Sequence, residues 1–185
     1  MRYFIGFLVT IGLIVLVFVL ILRGSGSNGP LPQSVNLGDY SNTNAVAQLI
    51  IDGPITADQT HREVQLDISA NQASIDIFQG YQQSVLNSKS YVNNGTAFSV
   101  FLHALQQANF TKGDSSKALS DERGICPAGD RYIFSFTNDS GKQLLRYWTT
   151  TCGGGTFKGN LATTLYLFKR QIPDYDTLTS NVAVF

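Results

Sequence analysis

Charge is scarce in this chain. Asp, Glu, Lys and Arg make up 14% of its 185 residues, and 13 basic residues are balanced by 13 acidic ones. Without a basic surplus there is no electrostatic footprint for nucleic acid and no polybasic patch for anionic lipid, so nucleic acid is not expected as a partner. Histidine and cysteine are equally sparse. His61, His103, Cys126 and Cys152 are the whole supply, and no close pair exists of the kind that builds a zinc site. No metal and no cofactor are therefore expected.

Catalytic patterns are missing as well. His61 lies in the turn-like stretch Gln59, Thr60, His61, Arg62, and His103 falls on the polar flank of an expected helix beside Leu102. Neither comes with the serine context of a nucleophile elbow, so no residue is given a catalytic role. The stretch Gly153, Gly154, Gly155, Thr156, Phe157, Lys158, Gly159 sits where phosphate loops occur, between a strand and a helix. Its order is wrong, because Lys158 precedes Gly159 and no serine or threonine follows it directly. It reads as a tight connection. Asp174 and Asp176 lack the spacing of a calcium loop and read as a solvated helix end.

What the chain has in quantity is apolar residues at its start. From Tyr3 to Leu22 there is no charge, and Leu, Ile, Val and Phe predominate. About 20 helical residues span the roughly 30 Å of a bilayer's hydrocarbon core, whereas the apolar part of a cleaved signal is usually about 7 to 15. The run reads as a membrane-spanning signal anchor over residues 1–23. Gly24, Ser25 and Gly26 are small enough for cleavage, but no Ala-x-Ala pattern precedes them. Residues 24–39, rich in Gly, Ser, Asn and Pro, read as a flexible linker, and residues 40–185 as one domain.

Within that domain, residues 46–51 are apolar enough for a strand, closed by Asp52, Gly53 and Pro54. Val64, Leu66 and Ile68 alternate with polar neighbours, as do Ile75 and Ile77, so a first hairpin is expected over 64–78. Phe98, Phe101, Leu102 and Leu105 fall at i, i+3, i+4 and i+7, predicting a helix over 96–108 with Thr96 as its cap. A second hairpin is expected from 131–137 and 143–150, turning at Asn138, Asp139, Ser140 and Gly141. A second helix over 161–171, capped by Asn160, and a short strand over 181–185 complete the reading. The expected fold class is α+β: an N-terminal transmembrane helix plus a small antiparallel sheet of about five strands packed with two helices.

Cys126 and Cys152 flank the second hairpin almost symmetrically. Strands that leave a hairpin's open end together lie about 4.5 to 5.5 Å apart at Cα, a span a disulfide bridges, so the two are expected to be bonded. A bridge argues in turn for an oxidising compartment. The same hairpin carries Tyr132, Phe134, Tyr147 and Trp148 on both faces. One face is thus a candidate binding surface, unless the sheet is covered on both sides.

Two resemblances attach to these residues. The run Arg123, Gly124, Ile125, Cys126, Pro127, with Arg131, Tyr132, Trp148, Cys152, Gly155, Thr156, Phe157, Gln171, Ile172 and Pro173, resembles uncharacterised single-pass anchored proteins of candidate-phylum bacteria. That likeness brings no function. The order helix, Cys-Pro, strand, turn, strand, Cys, over about residues 98–152, is similar to the subtilisin-inhibitor family. This second resemblance implies a serine protease inhibitor presenting Ala128 and Gly129, although the family's other disulfide is absent and about 30 residues follow Cys152.

The reading is of a non-enzymatic, membrane-anchored domain outside the cytoplasm that binds a protein or cell-envelope ligand through its sheet or loops. Two alternatives stand beside it: the protease inhibitor, and an envelope hydrolase whose site would bring His61 or His103 to a serine and a carboxylate.

Overall fold

The structure, a computed structural model, describes residues 35–116 and 121–182. They belong to a compact unit that begins at Ser34. Six strands make one antiparallel sheet: β1 (Val46–Asp52), β2 (Arg62–Ile68), β3 (Gln72–Gln79), β4 (Ser84–Val92), β5 (Arg131–Thr137) and β6 (Gln143–Thr150). The spatial order is β4-β3-β2-β1-β5-β6. Three helices accompany it: α1 (Gly95–Gln107), α2 (Leu161–Lys169) and α3 (Tyr175–Thr179).

Period-two alternation decides which face of the sheet is core. Ala47, Leu49 and Ile51 of β1, Val64, Leu66 and Ile68 of β2, Ala73, Ile75 and Ile77 of β3, and Phe134 and Phe136 of β5 are all buried. The register sets Leu49 between Leu66 and Phe134, so the apolar rows line up across four strands. Against them pack the stripe Phe98, Phe101, Leu102 and Leu105 of α1, together with Phe110 and Phe168. The rings interlock edge to face: Phe110 meets Phe134 at 5.9 Å and Phe101 meets Phe168 at 5.3 Å between centroids. Leu37, within the stretch expected as linker, is fully buried in a short 3-10 turn (Leu37–Tyr40).

The expected fold class needs two corrections. The sheet has six strands, because β4 was not foreseen: its sequence, SVLNSKSYV, shows no alternation, and eight of its nine residues are exposed. A strand that buries neither face leaves no period-two pattern to read. Further, among the described residues no helix is long and apolar enough to cross a membrane. The expected span from Tyr3 to Leu22 lies outside the described residues, as does most of the strand expected over 181–185.

Two smaller differences concern helix starts. α1 is capped by Asn94, whose side chain accepts from the Ala97 amide at 2.9 Å, and Thr96 lies inside the helix. α2 begins as expected, with Asn160 accepting from the Thr163 amide at 3.0 Å, but ends at Lys169. The second hairpin has the expected strands, residue for residue.

Candidate functional site

The sheet face turned away from the helical core carries most of the buried charge. At one end of β1, Asp52 lies opposite Arg131 of β5 and Glu63 of β2. Its Oδ2 accepts from Arg131 Nε at 2.8 Å and its Oδ1 lies 3.1 Å from His61 Nε2. Arg131 also donates from Nη2 to the carbonyl of Gly53 at 2.6 Å. Both Arg131 and His61 are buried, and the guanidinium tolerates that only with partners at hand. Glu63 faces Asp52 across the strand pair, and burial followed by that neighbouring carboxylate raises its pKa, while a hydrogen bond from Gln83 works against the shift.

His61 is held on every side. Its Nδ1 lies 3.1 Å from the Pro54 carbonyl, and its ring stacks on Tyr81 with centroids 4.2 Å apart. The Tyr81 hydroxyl donates to the Thr56 carbonyl at 2.8 Å and its amide donates to Asp58 at 2.9 Å. Both ring nitrogens thus face oxygen atoms of the protein itself. The cluster fastens the β1–β2 loop to the sheet. His103 sits exposed on α1, apart from it, and among the described residues no group of His, Cys, Asp and Glu is placed to hold a metal.

A buried acid, Asp130, lies beside the arginine in sequence. Burial raises its pKa, a hydrogen bond with Tyr132 and the Arg131 charge opposing the shift. Burial likewise raises Tyr132 and, more strongly, Tyr175. These groups close one end of the core. Asp174 takes Lys89 and the Tyr91 hydroxyl as partners, tying α3 to β4.

Cys126 and Cys152 are disulfide-bonded, with their Cα atoms 5.7 Å apart. The bridge closes the open end of the β5–β6 hairpin, as the flanking spacing required. In the loop after Cys126, the Gly129 amide returns to the Cys126 carbonyl at 3.1 Å, and the Pro127 carbonyl accepts from the Ile55 amide at 2.8 Å. A Cβ on Gly129 would lie 2.1 Å from Thr151 Oγ1. Ala128 is exposed and Gly129 half-buried.

The aromatic residues singled out on that hairpin do not make a surface. Phe134 is fully buried, Tyr132 and Trp148 are buried, and Tyr147 is half-buried. Trp148 stands opposite Ile133 on the face away from the helices, and Glu122 of the preceding segment reaches Arg146 there at 2.6 Å.

The two sheet edges differ sharply. β6 is covered at its Trp148–Thr150 end: the amides of Thr156 and Phe157 donate to the Trp148 carbonyl at 2.8 and 2.9 Å, and Thr156 Oγ1 accepts from the Trp148 amide at 2.9 Å. The glycine-rich stretch makes that return. Gly155 has φ +100°, and a Cβ there would lie 2.3 Å from the Trp148 carbonyl oxygen. β4 pairs with β3 alone, and along its other side no strand of the described residues lies. Its one charged side chain, Lys89, is already paired with Asp174, and Val85, Leu86 and Val92 are exposed, Val92 at 96%. Short strands, repeated lysines, prolines and covering segments are the usual protections of such an edge. β4 has nine residues, one lysine and no proline; its single protection is a bulge between Val85 and Asn87. The missing alternation hid this strand, and with it the edge.

No protein-family model matches the chain, and no curated protein matches it in sequence.

Proposed function

We propose that the protein is a non-enzymatic interaction module, displayed outside the cytoplasm, that engages an extended protein segment by strand addition along β4. The observation that carries this is the contrast between a β6 edge covered at its Trp148–Thr150 end and an almost uncharged β4 edge along which no strand of the described residues lies. An added strand gains affinity from main-chain hydrogen bonds and specificity from alternate side chains. The extracytoplasmic location is supported by the Cys126–Cys152 bridge, since such bonds persist in oxidising compartments. The length of the uncharged run from Tyr3 to Leu22 supports retention at the cell membrane.

The test compares the full chain with its S88K/S90K form as bait against the protein's own cell envelope. Lysines at these exposed edge positions leave the core untouched and oppose edge pairing. Retention of a partner by the wild type and its loss in the variant, at unchanged melting temperature, is the expected result. Equal retention by both would place binding elsewhere.

A further inference from the structure

We propose that the cleft between the last turn of α2 and the start of α3 is a binding site for a carboxylated sugar, independent of the β4 edge. The cleft encloses about 620 Å³, within the range of small-ligand sites. Lys169 and Arg170 line it together with Asp176, so its cations outnumber its acid, which suits a monoanion better than a dianionic phosphate.

Arg170 is the group that would hold the carboxylate, because its guanidinium is uncommitted. Arg62 donates to main-chain carbonyls, and Arg123, Arg131 and Arg146 to carboxylates. Among the described residues, Arg170 is the arginine whose guanidinium has no such partner, and Asp176 pairs with neither cation of the cleft. Basic side chains at a helix C-terminus often cap its last carbonyls. Here those carbonyls are already taken: the amides of Gln171 and Ile172 donate to Phe168 and Lys169 at 3.0 and 3.2 Å, and Gln171 Nε2 donates to Leu167 at 3.3 Å. Lys169 is more engaged, with its Nζ 5.0 Å from the Tyr175 ring centroid and its charge acting on the buried Asp130.

The shape of the ligand follows from Tyr166, which also lines the cleft and is 61% exposed. It precedes Arg170 by one helical turn, and residues four apart on a helix are neighbours about 5 to 6 Å apart at Cβ. A sugar ring spans that distance. Its C–H face fits against the phenol ring while a carboxylate at its edge takes two parallel N–H donors from the guanidinium. The Asp176 carboxylate and the Tyr166 hydroxyl are left to bond the sugar's hydroxyl groups.

The probe is D-glucuronate, titrated into the full chain in detergent and followed by ligand-observed NMR. Saturable binding is expected, weakened at least tenfold by Arg170→Gln and by Tyr166→Ala, both exposed positions, at unchanged melting temperature. Glucose and acetate, which carry the ring or the charge alone, should bind at least tenfold more weakly. The S88K/S90K form should bind glucuronate as the wild type does, and a loss there would overturn the independence of the two sites. Absence of saturable binding, or equal binding by the Arg170→Gln form, would overturn the cleft site and leave strand capture standing. Inorganic phosphate or N-acetylalanine bound as tightly as glucuronate would overturn the carboxylated sugar as its ligand.

Discussion

Asp52 and Arg131 face each other across the β1–β5 pair, joined by an Nε to Oδ2 bond of 2.8 Å on the sheet face away from the helices. Because the guanidinium is buried, the carboxylate is its main compensation. Removing one partner of such a pair costs about 3 to 5 kcal/mol, since the other charge is left uncompensated. Asp52→Ala should therefore lower the unfolding free energy by about 3 kcal/mol in urea denaturation. Adding Arg131→Met should restore at least half of that loss. A double variant less stable than Asp52→Ala would mean that the arginine acts through other contacts.

The bridge should be worth about 2 to 4 kcal/mol, by the chain-entropy account of a loop spanning 26 residues. Replacing both cysteines with serine is expected to lower the melting temperature by several degrees or more. Reductant should do the same to the wild type. Mass spectrometry of the unreduced protein should find no alkylatable thiol after denaturation.

Glu63 gives stability a pH dependence. Its pKa is raised in the fold, so its favourable contribution is complete below the ordinary glutamate value of about 4.3 and is lost as pH rises through the raised value. Glu63→Gln keeps the oxygen that accepts from Gln83 and removes the charge facing Asp52. The variant should be more stable than the wild type at neutral pH, with the gain shrinking as pH falls toward 4. A constant difference across that range would remove the like-charge account.

Gly155 should resist substitution. Its φ of +100° and the Trp148 carbonyl in its path leave no room for a side chain. Gly155→Val should lower stability by about 2 kcal/mol or more and speed hydrogen exchange of the Thr156 and Phe157 amides, which cover β6.

Much of this fold is legible wherever one face of an element is buried and the other is not. β2 and β3 alternate, α1 shows its stripe at i, i+3, i+4 and i+7, and the second hairpin is marked by its turn residues. Cys126 and Cys152 could be paired because they flank that hairpin. β4 could not be read, since an edge strand exposed on both faces has no hydrophobic period. The charge cluster was equally hidden: Asp52, His61 and Arg131 are joined by strand register and by the Pro54 carbonyl, none of which has a local signature. Aromatic residues on both faces of β5 and β6 fitted a binding surface or two-sided cover, and only the burial of Trp148 and Ile133 decides between them.

The account turns on the outer edge of β4, and amide hydrogen exchange over Ser84–Val92 tests it most directly. The full chain is compared in intact cell envelopes and dispersed dilute in detergent. Amides of β4 that point away from β3 should exchange at least tenfold more slowly in the envelope, where a partner strand is present, and at the open rate when dispersed. Equal, fast exchange of those amides in both states would contradict strand pairing at this edge.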